Sequence, residues 1–260
     1  MTQTGARKRD EVLSFVRRSP AAVAAHDKET WIGLFAKRYV VEDPVGSRPV
    51  AGGLFDRRTG YRGNGPLERF WDTFIAPNDV AFSVDHDFVR GLTVVRDADI
   101  RTRTRSGTEV RTPAHLVYEL CEEDGCLRIQ RLAAHWEILP ALRQLARPDP
   151  SRLGDFLRQG SRLVRMLGIG AAIEFGRAAK GVGRVGKGAV ADLVAAAHGS
   201  DPEALELLDG LAPKELTKVI ASGDAVSASC VTEHGPAVMV CYLDRRTNVV
   251  RHASVFVDTP

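Results

Sequence analysis

Residues 80–138 read VAFSVDHDFVRGLTVVRDADIRTRTRSGTEVRTPAHLVYELCEEDGCLRIQRLAAHWEI. Four runs here are rich in β-branched and aromatic residues, which suit a pleated surface: Val80 to Val89, Leu92 to Arg103, Glu109 to Leu120 and Cys126 to Ile138. Gly91, Ser106-Gly107 and Glu122–Gly125 separate them with turn chemistry, so the stretch is predicted to be an antiparallel meander. Upstream, residues 9–36 read as helices, with Asp27 capping Lys28 to Ala36 and Ser19-Pro20 marking a break or a fresh start. Tyr39 to Asp43 reads as a short strand, Leu54 to Gly65 as an inserted Arg- and Gly-bearing loop, and Pro66 to Phe74 as a helix. Helices followed by a curved antiparallel sheet predict an α+β cone, in which the helices close one face of the sheet and curvature leaves a pocket between them.

The whole chain has 260 residues, 44% hydrophobic and 27% charged, with a formal net charge of +3. Enough aliphatic residue is present for a packed core, which excludes a wholly disordered chain, and the net charge is too small to argue for nucleic acid. The polar start, Met1 to Asp10, has no apolar core of a signal peptide, and no uncharged apolar run approaches a membrane span, so the expected location is cytoplasmic. Cys121, Cys126, Cys230 and Cys241 are then expected as free thiols.

The first 140 residues read as a complete cone domain. Residues 141–200 read as a basic, glycine-rich helical connector, and 201–260 as a small α+β segment, either a partial cone or a dimerisation sheet. In the connector, Arg152 to Lys187 carries eight basic and two acidic residues. Such a segment either packs small residues against the cone or makes peripheral contact with an anionic membrane at the inner face. Gly181-Val182-Gly183-Arg184-Val185-Gly186 satisfies GxGxxG, yet no strand precedes it and Gly188 stands where a magnesium-binding hydroxyl belongs, so it does not predict a nucleotide site. In the last segment Pro202 to Gly210 and Pro213 to Ala221 read as helices, and Ala225 to Thr232, Ala237 to Leu243 and Asn248 to Asp258 as strands. Asp85-His86-Asp87 places its two carboxylates on one face of an ideal strand, which is an exposed edge rather than a metal site.

The stretch Val41-Glu42-Asp43-Pro44-Val45-Gly46-Ser47-Arg48-Pro49-Val50-Ala51-Gly52 resembles the signature loop of bacterial ketosteroid isomerases, members of the nuclear-transport-factor-2-like cone superfamily that also holds SnoaL-type cyclases and dehydratases. Ala25-His26-Asp27 with Leu34-Phe35-Ala36, then Glu68-Arg69-Phe70-Trp71 and Pro113-Ala114-His115, match further family positions in order, so the resemblance covers about residues 8–139. It implies that Asp43 is a catalytic base, which takes a proton from the carbon alpha to a ketone and returns it two carbons away. The family's oxyanion hole uses a tyrosine and a protonated aspartate. Here the tyrosine position falls on Ser19 and the aspartate position on His115. A histidine can donate a hydrogen bond, so His115 is the expected polariser.

Asp43 facing His115 also suggests the base–acid pair of a SnoaL-type dehydratase or cyclase. A non-catalytic sterol- or lipid-binding protein at the membrane surface is the third reading. Strand alternation puts His115, Val117 and Glu119 on one face. With Phe15, Tyr39, Trp71, Val117, His135 and Trp136 as the expected wall, the ligand would be small, apolar and ring-bearing. Tyr61, in the inserted loop, is a candidate for the missing hydroxyl. No cofactor or metal is implied, and a homodimer is expected from the resemblance.

Overall fold

A computed structural model describes residues 3–53, 65–105, 107–145 and 181–258. The inserted loop with Tyr61 and most of the basic segment Arg152 to Lys187 lie outside the described residues. The chain opens with helix α1 (Gln3–Ala24) and helix α2 (Lys28–Gly33). Asp27 caps α2 as expected, accepting from the Thr30 N–H at 3.0 Å. Two boundaries differ from the sequence reading. Pro20 sits inside an unbroken α1. The helix pays for one missing backbone hydrogen bond, but Val12, Val16, Ser19 and Val23, at helical spacing, are all buried and hold both sides of the proline in register. Helix α2 also ends early, because Phe35 pairs with Ile129 and opens strand β1 (Phe35–Glu42).

Strand β2 (Val50–Gly52) and helix α3 (Gly65–Phe70) follow, with a π turn at Trp71–Ile75. The meander is then β3 (Asn78–Arg90), β4 (Thr93–Thr104), β5 (Glu109–Glu123) and β6 (Cys126–His135). The six strands run in the order β2-β1-β6-β5-β4-β3, all antiparallel except β1 beside β6. Trp31, Phe35, Phe70 and Trp71 cluster between the helices and one face of this sheet. This is the predicted α+β cone.

Helix α4 (Ile138–Leu145) leaves the cone. The described chain resumes before helix α5 (Gly183–His198) and helix α6 (Pro202–Leu207), which lead into strands β7 (Lys214–Ser222), β8 (Ala225–Thr232), β9 (Gly235–Leu243) and β10 (Val250–Val257). The run from Pro213 to Ala221, read as a helix, is therefore a strand. Thr217 and Ile220 pair with Ser229 and Ser227 of β8, so tertiary pairing overrides a short helical pattern. The second sheet, β10-β9-β8-β7, buries one face under α5 and α6. Its other face lies on the outer face of the cone sheet, where Val45, Phe88, Val95, Val117 and Ala133 meet Ala225, Val238, Val240 and Phe256. The layers are helices, cone sheet, second sheet, helices.

Polar groups are locked into that sheet–sheet contact. Lys218 of β7 reaches Asp97 of β4 at 2.6 Å and Asp85 at 3.1 Å. A bulge between Val84 and His86 separates the two carboxylates read as sharing a face: Asp85 goes to Lys218, whereas Asp87 takes the buried Arg96 at 2.7 Å. His115 Nδ1 lies 2.8 Å from Ser227 Oγ and Nε2 lies 3.0 Å from Ser229 Oγ. Ser229 spends its own proton on Asp97 at 2.6 Å. The imidazole therefore donates through Nε2, and because burial favours the neutral ring, Nδ1 accepts from Ser227, so both nitrogens are satisfied.

Burial pushes the His115 pKa down to about 4 and that of fully enclosed His135 to about 3. A folded-state pKa below the unfolded value means that the unfolded chain takes the proton first. The stability these rings contribute is complete above the ordinary histidine pKa and is lost as pH falls from there toward the folded values. Urea unfolding at pH 7.5 and pH 5 should differ by about 2 kcal/mol for each histidine. The His115→Gln variant should show a correspondingly flatter profile, and an unchanged pH slope in that variant would refute this origin.

Candidate functional site

Strand β1 delivers Asp43 to the rim of the cone. Val41 and Glu42 pair with Leu132 and Ala133 of β6, and the Val45 N–H donates to the Ala134 carbonyl at 2.9 Å. These contacts hold the loop after β1 against the end of β6, where Trp136 emerges. The Asp43-Pro44 peptide is cis. The Trp136 indole Nε1–H donates to Asp43 Oδ1 at 2.5 Å. Burial raises the Asp43 pKa above the ordinary carboxylate value, and the Trp136 hydrogen bond opposes the rise.

Asp43 opens into a cavity of about 340 Å³ between the helices and the inner face of the sheet. Its walls are apolar and aromatic: Trp31 from α2, Phe70 and Phe74 from the α3 segment, Phe82 from β3, Ile100 from β4 and Leu116 from β5. Its polar lining comprises Asp43, Ser19, Tyr118, Asn78 and the threonines Thr102, Thr104 and Thr112. The Ser19 side chain, buried in α1, stands beside the Tyr118 hydroxyl. Burial raises the Tyr118 pKa, whereas the neighbouring Ser19 hydroxyl and the positive charge of Arg96 pull it back.

The expected site residues divide sharply. Asp43 and Trp136 line the cavity and touch each other. Phe15, Tyr39 and Trp71 are buried in the cone core but do not line the cavity. His115, Val117 and His135 lie on the other face of the sheet, against β7–β10. The expectation that Asp43 and His115 share one pocket is therefore corrected: β5 separates them. His115, Val117 and Glu119 do share a face, but it is the face that docks the second sheet.

Tyr118 was missed by the sequence reading. Its signal was the complementary alternation Val110, Thr112, Leu116, Tyr118, all on the cavity wall. The position that resembles the family's tyrosine is Ser19, and its hydroxyl meets a tyrosine supplied from across the cavity by β5. Among the described residues no three His, Cys, Asp or Glu side chains converge on a metal site, and no helix is long and apolar enough to cross a membrane.

Residues 16–132 match the SnoaL-like domain family. Among solved structures, the chain is similar to RV0760c from Mycobacterium tuberculosis in complex with estradiol-17beta-hemisuccinate, at 20% identity over 49% of this chain and 95% of that one, with a TM-score of 0.41. It is also similar to a Δ5-3-ketosteroid isomerase from Mycobacterium sp., at 24% identity over 50% and 95% of the two chains and a TM-score of 0.41. A third is the epoxide hydrolase/cyclase-like enzyme SalBIII of salinomycin pyran-ring formation, at 16% identity over 51% and 95% and a TM-score of 0.42. No curated protein matches the chain.

The Asp43–Trp136 contact makes a direct prediction. Removing the indole donor takes away the one hydrogen bond that favours the ionised carboxylate. In Trp136→Phe the Asp43 carboxyl should therefore titrate higher than in the parent, followed by carbon-13 NMR of labelled aspartate. A downward or absent shift would show that the indole does not stabilise the charge.

Proposed function

We propose that the protein, whose residues 16–132 match the SnoaL-like domain family, is a cofactor-independent proton-transfer enzyme acting on a small cyclic or polycyclic ketone or enol. The observation that carries this reading is a single enclosed carboxylate, Asp43, held by Trp136 at the wall of an apolar, aromatic cavity that also presents the Tyr118 hydroxyl.

Asp43 in its ionised form accepts a proton from the carbon alpha to the substrate carbonyl. The C–H electron pair moves into the C–C bond and the carbonyl pair onto oxygen, giving an enolate. Tyr118 donates its O–H to that developing oxyanion, while Ser19 orients the phenol. Asp43, now protonated, returns the proton to a conjugated carbon, so that one group serves as base and acid. Burial favours this double role, because a carboxylate with a raised pKa is a stronger base than one in water. The apolar walls suit a flat, ring-bearing substrate and keep water from competing for the enolate.

The resemblance to isomerases assigned the polarising role to the position of His115. Tyr118 takes that role in this proposal, and His115 belongs to the sheet–sheet contact.

Turnover of β,γ-unsaturated cyclic ketones is read by the ultraviolet absorbance of the conjugated product. Asp43→Asn should lower kcat by about 10²–10⁴-fold while ligand affinity, read by thermal shift, stays near the parent value. Tyr118→Phe should cost about 10²–10³-fold. The parent kcat/KM should rise with pH through the elevated Asp43 pKa and then level off, since only the ionised base is competent. Full activity in Asp43→Asn would sink the proposal. Saturable binding without turnover of any such ketone would replace it with a ligand-binding role.

A further inference from the structure

Three glycines far apart in sequence meet at one point behind the Asp43 loop. Gly46 has φ of +87° and Gly223, in the β7–β8 turn, has φ of +61°. Their backbones touch: a Cβ on Gly223 would stand 2.5 Å from the Gly46 Cα, closer than real Cβ atoms come to anything. A Cβ on Gly181 would strike the Gly223 carbonyl from the other side. That carbonyl accepts from the Val182 N–H at 2.8 Å, just ahead of α5. Next to it, the buried Ser222 donates its hydroxyl to the Val45 carbonyl at 2.9 Å. Val45 is 2% exposed and is gripped on its other edge by its bond to Ala134.

The β7–β8 turn is thus pressed between the segment leading into α5 and the two residues that follow Asp43-Pro44. Each contact is backbone to backbone or a hydroxyl on a carbonyl, so none can slide without breaking a hydrogen bond or closing a steric gap. The glycine pattern at 181–186 finds its use here. Gly181 allows the Gly223 approach, and Gly186 is needed because a Cβ there would run into Val182.

We propose that Ser222 and Gly223 are positioning residues: the second sheet clamps the loop that carries Asp43 and so sets the carboxylate against Trp136 and the cavity. The catalytic consequence rests on the reading of Asp43 as the base; the geometric one does not. The C-terminal half is on this view a working part of the site, although it contributes no side chain to the cavity lining among the described residues.

The test uses the full chain labelled with nitrogen-15 at tryptophan. The Trp136 indole resonance is assigned by its absence in Trp136→Phe. Gly223→Ala should move that resonance and lower kcat by about 10²-fold, with KM nearly unchanged, because misplacing a reacting group costs rate before affinity. Ser222→Ala should do the same to a smaller degree, and it decides the matter if Gly223→Ala does not fold. Val238→Ala, a cavity in the same sheet–sheet contact but away from the turn, should lower stability and leave both the resonance and kcat in place.

If folded Gly223→Ala, or Ser222→Ala in its stead, keeps the parent resonance, or if Val238→Ala displaces it equally, the clamp is overturned whatever the activity. If the resonance moves as expected in a protein that turns over no ketone, the clamp stands and the proton-transfer reading fails.

Discussion

Along their middle stretches, strands β4, β5 and β6 are buried on both faces. One side of the sheet holds the aromatic core and the cavity, and the other is covered by β7–β10. The contact between the sheets is where the structure commits itself. Its apolar part, with Val95, Val117, Val238 and Phe256, contributes the driving force, at about 1.5–3 kcal/mol for each large side chain fully buried. Its polar part, Lys218–Asp97 with Ser229 and His115, contributes little net stability once desolvation is counted, but it cannot be half-assembled. Removing either charge leaves the other enclosed, so any slip of one sheet over the other carries a penalty that a purely oily contact would lack.

Double burial also explains what could be read in advance and what could not. The four meander strands and the Asp27 cap were legible because they depend on local chemistry: turn residues, β-branched runs and a carboxylate before a helix. The alternation on β5 was legible too, since His115, Val117 and Glu119 do share a face. Which face met the cavity was not. Alternation separates two sides of a strand but assigns neither to a cavity, and when both are buried the polar-out rule that normally breaks the tie is gone. His115 looked chemically apt and Tyr118 unremarkable, and the three-dimensional arrangement reverses their importance. The bulge at Val84–His86 had the same effect on Asp85 and Asp87, because one extra residue sends neighbouring carboxylates to opposite sides. Strand β7 was hidden for a related reason: nothing local in Lys214–Ser222 announces its partner β8.

In the proposed reading, the cavity keeps a hydroxyl while moving its attachment. The resemblance to ketosteroid isomerases asks for a hydroxyl from the first helix, and the chain has only Ser19 there. A serine hydroxyl on α1 is too short to reach far into the cavity, but it can hold a longer side chain. Tyr118 supplies reach from β5, and the Ser19 side chain stands beside its hydroxyl. Asp43 faces a simpler balance. Enclosure makes the charged form costly, and the Trp136 indole offsets part of that cost. A carboxylate left between those two influences is more basic than one in water, which is what the proposed proton transfer asks of it.

That balance is sensitive to geometry, since a hydrogen bond from an indole weakens steeply with distance and angle. The Asp43 loop is short and contains Gly46, so by itself it has little to resist displacement. Its stiffness must come from what it touches. On the cone side it has the Ala134 carbonyl; on the outer side it has the Ser222 hydroxyl and the Gly223 backbone. Only a residue without Cβ allows two loops to meet so closely, and a backbone contact of that kind has fewer soft degrees of freedom than any side-chain contact. Glycine at 46, 181 and 223 therefore stiffens the site, although glycine is the most flexible residue when free. The same absence of a side chain that loosens an unfolded segment lets three folded ones lock together.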